Sequence, residues 1–381
     1  MKTFIKKSVK IHLSVLLLLF TVNISAAPIP KAPNPDVKSY IIIDYDSGMV
    51  IAEKNSDLIL PPASITKIMT SYIIFTELKN QTLDRKDDVL VSKKAWKTGG
   101  SKMFIEVGKK VKVSDLLHGI ITSSGNDASV AMAEHISGDE ETFSIYMNQM
   151  AENLGMTNTS YANSTGLPND DLYTTAEDIS ILARSLIMKF PKDYKLYSQK
   201  EYVYNDIKQY SRNKLLYLDD SVDGMKTGFT KKAGYCLVSS ALRGKRRLIS
   251  VVMGAKSSEH RTNASKSLLE YGFRFFETHK IYKQNKVVTE GKVFGGSQPS
   301  VKLTVLEDAY ISIPRRQIKN IKHKYVIDKN LTAPIAKGEV IGYAVIQLEG
   351  ESLTTIKLHS MEDISEGSFY RKTLDSILRS F

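Results

Sequence analysis

The chain has 381 residues, 42% hydrophobic and 25% charged, an ordinary globular composition with length for two domains, or one large domain with an appendage. The net charge of +12 is scattered, and no Arg- and aromatic-rich block marks a nucleic-acid surface; mild attraction to an anionic membrane face or polymer is the better inference. The lone Cys236 excludes an intrachain disulfide and reads as a packed core thiol, and the seven histidines show no metal spacing, so no metal or cofactor is expected.

The N-terminus reads as an export leader. Lys2, Lys6, Lys7 and Lys10 form a basic segment, residues 11–22 are apolar, and Ser25-Ala26-Ala27 offers small residues for cleavage after Ala26. The alternative, an uncleaved anchor, has too short an apolar run to span comfortably. Residues 28–38 are Pro-rich and read as a linker. Residues 40–45 and 49–52, joined by Asp46-Ser47-Gly48, predict a β-hairpin.

The stretch Pro61-Pro62-Ala63-Ser64-Ile65-Thr66-Lys67 comes next. The prolines halt what precedes, and Ile65, Ile68, Met69, Tyr72 and Ile73 predict a helix from Ser64 to about Lys79, with Ser64 as N-cap or first-turn residue. Positions i and i+3 share a helix face, so the Ser64 hydroxyl and Lys67 amine can meet. A serine needs a base to become nucleophilic, and a lysine serves only when burial or a nearby positive charge keeps it neutral. Chance alone gives roughly one or two S-x-x-K matches in such a chain. A second match, Ser211-Arg212-Asn213-Lys214, opens no helix and reads as coincidence.

Residues 84–112 look mixed, with a short strand at 89–91 and a turn at Gly99-Gly100. Residues 113–123 are helical in pattern, with Ser114 as a candidate cap, and break at Ser124-Gly125-Asn126; a new helix starts at Asp127, and another ends within 148–155. Residues 157–173 predict a loop, and 174–178 open a further helix. Residues 202–204 and 215–217 suggest a hairpin pair. Strands follow at 235–241 and 247–254, then a helix over 260–277. Strands at both ends with helices between predict an α+β domain on an antiparallel sheet. From Lys286, β runs at 286–289, 300–305, 309–313, 321–327 and 340–349 predict a small all-β domain ending near Leu358. Residues 369–381 are amphipathic: Tyr370, Leu374, Ile377, Leu378 and Phe381 recur at helical spacing beside Arg371, Lys372 and Arg379. The reading favoured is a helix in a membrane interface; docking on its own β domain is the alternative.

Three separated pieces suit one chemistry: Ser64 with Lys67, Ser124-Gly125-Asn126 at a helix break, and Lys226-Thr227-Gly228 at the start of a strand. Their order is that of the S-x-x-K, S-D-N-type and K-T-G elements of penicillin-binding proteins and β-lactamases. With residues 223–228, Ala233-Gly234-Tyr235 and residues 272–277, the sequence resembles the low-molecular-mass penicillin-binding proteins, the D-alanyl-D-alanine carboxypeptidases of serine peptidase family S11. The resemblance implies a signal peptide over 1–26, a penicillin-binding/β-lactamase-like domain over 27–283, an all-β domain over 284–366 and an amphipathic membrane-anchor helix over 367–381.

It also implies a mechanism. Ser64 is acylated by the penultimate D-Ala of a peptidoglycan stem pentapeptide, terminal D-Ala leaves, and water hydrolyses the acyl-enzyme; β-lactams acylate the same serine and leave slowly. Lys67 is the implied general base, Ser124 relays a proton, Asn126 binds the substrate backbone, and Lys226 carries the charge that keeps Lys67 neutral and Ser124 polarised. The backbone N–H groups of Ser64 and Phe229 form the implied oxyanion hole. Thr227, beside Gly228, and Arg261 match the positions that bind the terminal carboxylate, with Arg212 as a second site arginine. Many relatives have His where Phe229 stands, which bears on deacylation and its pH dependence. Asp178 matches a recurrent family acid or caps its helix.

The implied setting is cell-wall remodelling and cell-shape maintenance in the periplasm, with export across the inner membrane and peripheral attachment to it through the C-terminal helix. A homodimer is left open. The rivals are a β-lactamase, a DD-endopeptidase or transpeptidase, and a non-catalytic wall-binding scaffold. Gly125 in place of Asp, no evident deacylating Glu in 157–178 and the extra β domain weigh against the first. Intact Ser64, Lys67, Ser124 and Lys226 weigh against the last.

Overall fold

The computed structural model describes residues 30–378, so the expected leader lies outside the described residues. Five antiparallel strands form the central sheet, in the order Val50–Lys54, Ser39–Asp44, Arg246–Ala255, Gly234–Arg243, Val222–Thr230. Side chains alternate across a strand, so Ile41 and Ile43 enter one core while Tyr40 and Ile42 enter another. The first core takes the helices Lys67–Asn80, Asn126–Ser137 and Ala176–Lys189; the second is covered by the helix Ser258–Phe275. The expected α+β antiparallel architecture is present.

The Lys67–Asn80 helix is buried continuously from Lys67 to Thr76. A helix buried around its whole circumference must satisfy its polar side chains inside the protein. Its polar members bond inward: Thr70 Oγ1 donates to Ser164 O at 2.7 Å, and Ser71 Oγ to Lys67 O at 2.7 Å. Truncating Phe75, wholly buried here, should cost about 3–5 kcal/mol.

Several local expectations change. Ser64 does not cap a helix: a 3-10 turn, Ala63–Thr66, precedes the α-helix, and no side chain caps either start. Ser114 is not a cap, since Lys112 occupies that position before Val113–His118. The next helix begins at Asn126, not Asp127. The strand Glu201–Tyr204 pairs with Ile207–Tyr210, and residues 215–218 form a helical turn. Asn205 and Asp206, at φ 48° and 60°, make the tight two-residue turn that favours such residues. The helix expected over 260–277 stops at Phe275, because Phe276–Tyr282 pairs with Ala309–Pro314. Lys226 lies inside the strand Val222–Thr230 rather than at its start.

The C-terminal part is all-β: a five-stranded sheet ordered Thr289–Lys292, Ser300–Thr304, Glu351–Ser360, Val340–Leu348, Ile321–Ile327. The strand Glu351–Ser360 escaped the sequence reading. Arg246 links the two parts, donating to Phe276 O at 2.7 Å, Gly272 O at 2.9 Å and Ser312 Oγ at 3.3 Å. The helix Phe369–Leu378 touches the β domain: Gly295 N–H donates to Asp375 Oδ2 at 2.7 Å. Phe369 and Tyr370 are exposed. Arg379 and Phe381 lie outside the described residues. Among the described residues no helix is long and apolar enough to cross a membrane.

Candidate active site

A cleft of about 630 Å³ runs between the sheet edge and the helical region, and Ser64, Ser124, Asn126, Arg212, Thr227, Gly228, Phe229 and Arg261 all line it. Lys67 and Lys226 lie beneath, 1% and 3% exposed. Segments as far apart as Ser64 and Arg261 thus converge on one space.

Ser64 follows Ala63, whose φ of +49° is left-handed and strained for a residue with a side chain. Two glycines permit that shape. A Cβ on Gly166 would stand 1.9 Å from Ala63 O, and one on Gly228 would stand 2.9 Å from Pro62 O and 3.1 Å from Ser64 N. Gly228 therefore lets the sheet's edge strand reach the backbone of the serine.

Lys67 Nζ lies 3.3 Å from Ser64 Oγ. It donates to Asn126 Oδ1 at 2.6 Å and to Thr165 O at 2.5 Å. Burial pulls its pKa down to about 7, and the Arg212 guanidinium pushes the same way. Lys226, to which the sequence reading assigns that electrostatic role, repels a proton on Lys67 within the same buried space, and Arg212 is a second cation acting on Lys67. Lys226 is itself held well below an ordinary lysine, first by burial, then by Lys67, Arg212 and Arg261. Two amines in one dry space resist being charged together, whereas an arginine keeps its proton. Lys226 Nζ donates to Thr227 O at 3.3 Å.

Ser124 terminates a π-helical turn, Gly119–Ser123, with φ +61°, and its Oγ is buried without a hydrogen-bond partner among the described residues. Its expected polarisation by Lys226 would therefore act through the field of the amine rather than through a hydrogen bond. Asn126 is doubly fixed, its Oδ1 on Lys67 and its Nδ2 donating to Gly99 O at 2.6 Å. Gly100, at φ +83°, has no room for a Cβ, which would sit 2.6 Å from Asn126 Nδ2.

Arg261 donates to Gly228 O at 2.9 Å and Cys236 O at 3.2 Å, and burial lowers its pKa to about 10. Thr227 lies beside it on the cleft wall. Phe229 is 52% exposed, with its ring 4.3 Å from that of Tyr235. Asp178 does not cap its helix, which Thr175 caps; its carboxylate accepts from Asn158 N at 2.9 Å and Thr159 Oγ1 at 2.6 Å. Glu177, the glutamate within 157–178, is exposed and absent from the cleft wall.

Sequence reasoning missed three supports. Asp127 accepts from the backbone N–H groups of Met103, Phe104 and Ile105 at 2.8, 2.9 and 3.3 Å, fastening the loop that carries Gly99. Asn163 Oδ1 accepts from Thr165 N and Gly166 N, shaping the turn that presents Thr165 O. Glu140 Oε1 accepts from Ser164 N and Oγ at 3.2 and 2.8 Å. Only the Asn163-to-Gly166 turn composition carried a local signal.

The fold and cleft are those of an active-site-serine acyl-transfer protein. The D-alanyl-D-alanine carboxypeptidase family model matches residues 26–257, and that of the penicillin-binding protein 5 C-terminal domain matches residues 276–366. The chain belongs to this S11 family of D-alanyl-D-alanine carboxypeptidases. It is 42% identical to the D-alanyl-D-alanine carboxypeptidase DacC of Escherichia coli K12 over 97% of this chain and 94% of the relative. Its identity to DacA of the same organism is 40%, over 100% and 99%. The crystal structure of penicillin binding protein 5 from Haemophilus influenzae superposes with a TM-score of 0.85 at 41% identity, covering 88% of this chain and 100% of that one.

Proposed function

We propose that this chain removes the terminal D-Ala from peptidoglycan stem pentapeptides through an acyl-enzyme on Ser64, and that β-lactams acylate the same serine. The observation that carries the proposal is the buried Lys67 amine, poised near neutrality 3.3 Å from Ser64 Oγ. A neutral amine has two N–H groups and one lone pair. Asn126 and Thr165 engage the N–H groups, which leaves the lone pair for the Ser64 proton.

Ser64 Oγ then bonds to the carbonyl carbon of the penultimate D-Ala. The backbone N–H groups of Ser64 and Phe229 receive the oxyanion; Phe229 belongs to an edge strand, part of whose N–H groups face away from the sheet. The C–N bond breaks as Ser124 passes a proton to the leaving amine, with Lys226 beneath in the same buried space. Asn126 aligns the peptide backbone. Arg261 and Thr227 hold the terminal carboxylate, and the exposed guanidinium of Arg212 adds attraction for anionic substrate. Water hydrolyses the ester and restores Ser64.

The domain limits proposed are 1–26 for the leader, 27–283, 284–366 and 367–381. The leader and the exposed Phe369 and Tyr370 support a periplasmic protein held at the inner-membrane surface, working in cell-wall remodelling and cell shape. Intact mass before and after benzylpenicillin, with peptide mapping, tests the acyl-enzyme. Product analysis on a pentapeptide muropeptide tests the reaction: free D-Ala is expected, and cut cross-links or rapid β-lactam turnover would replace the reading by an endopeptidase or a β-lactamase.

A further inference from the structure

The second S-x-x-K match, Ser211 to Lys214, is no Ser–Lys pair, yet Ser211, Arg212 and Lys214 all line the cleft. The turn is firmly pinned. Buried Asn213 donates from Nδ2 to Gly224 O at 3.0 Å and accepts from Leu215 N at 3.1 Å. Ser211 N donates to Lys200 O at 2.8 Å. Arg212 and Lys214 flank Asn213, and both are exposed.

Neither side chain makes a hydrogen bond or ion pair with any described residue. The cleft wall holds Arg212, Lys214 and Arg261, and no Asp or Glu. Arg212 also lies close enough to Lys67, Lys226 and Arg261 to repel their protons. A single terminal carboxylate, held by Arg261 and Thr227, leaves two cations unanswered.

We propose that Arg212 and Lys214 form a second anion subsite, which takes an internal carboxylate of the stem peptide and makes the enzyme prefer free-acid over amidated peptides. The inference rests on the carboxypeptidase reading above. Opposite charges on a pinned, half-open wall raise apparent affinity modestly and are screened by salt.

The test compares two synthetic pentapeptides ending in D-Ala-D-Ala, identical except that the carboxylates of the second and third residues are free in one and carboxamides in the other. The unaltered enzyme should show kcat/KM about fivefold higher for the free acid, falling towards parity in high salt. Lys214→Gln should bring the ratio close to one, and Lys214→Arg should restore it. A ratio of one in the unaltered enzyme, or a ratio unmoved by Lys214→Gln, overturns the subsite while leaving carboxypeptidase activity standing. Release of D-Ala from neither peptide overturns both readings. Because the readout is a ratio, a general loss of active protein does not imitate the effect.

Discussion

Lys67 Nζ sits 3.3 Å from Ser64 Oγ, and its pKa is depressed first by burial and then by Arg212, on a separate turn at the cleft wall. Acylation by a fluorescent penicillin should therefore rise with pH through an inflection near 7, as Lys67 loses its proton. Arg212→Gln removes a repelling cation, so the inflection should move up and the rate at pH 7 should fall severalfold. Stopped-flow acylation against pH checks both.

The same amine links stability to pH. Unfolded, Lys67 keeps its proton to about 10.5; folded, it keeps it only to about 7. Between those values the unfolded chain binds the extra proton, so stability rises with pH across that window and the penalty for burying Lys67 is greatest below it. Lys67→Met should raise Tm more at pH 6 than at pH 9, as read by thermal melts.

Gly228→Ala should place a methyl 3.1 Å from Ser64 N and force the strand away from it. Loss of one oxyanion donor costs about 10²–10³ in rate. Acylation should drop by that order while circular dichroism stays native.

Phe229 offers the contrasting case, since its proposed role is in the backbone and its ring lies exposed on Tyr235. Phe229→Ala should change acylation by less than about fivefold, within the range of lost packing alone. A fall as large as that of Gly228→Ala would show that the ring itself shapes the cleft.

Asp127→Ala strands the N–H groups of residues 103–105. An unsatisfied buried group costs about 1–3 kcal/mol, so Tm should drop by several degrees. Asn126 shares this loop through Gly99 O, so kcat/KM should fall as well.

Deleting residues 367–381 should release the protein from the membrane fraction without altering acylation by penicillin. Unchanged membrane association after fractionation would leave the helix as a strut of the β domain, tied through Asp375 and Gly295.

Local pattern made much of this protein legible. Short apolar runs bounded by turn residues disclosed the hairpin at 40–52 and the paired strands at 235–254, because a strand buried on both faces is apolar at successive positions. The Ser64–Lys67 spacing disclosed a nucleophile and base, because a helical turn brings such residues together whatever surrounds them. The Glu201–Tyr210 hairpin was misread because its turn, Asn205-Asp206, lacks glycine, and the strand Glu351–Ser360 because its burial pattern is irregular.

From the sequence alone came the α+β class, the three motifs and the all-β C-terminal part. Only the tertiary structure decided that Arg212 joins the cations acting on Lys67, that Asp127 and Asn163 build the walls, and that Gly166 and Gly228 make room around Ser64. The physical reason is range. Helix and strand preferences act over a few residues, whereas electrostatic repulsion, backbone clearance and shared hydrogen bonds depend on groups that meet only after the chain has closed on itself.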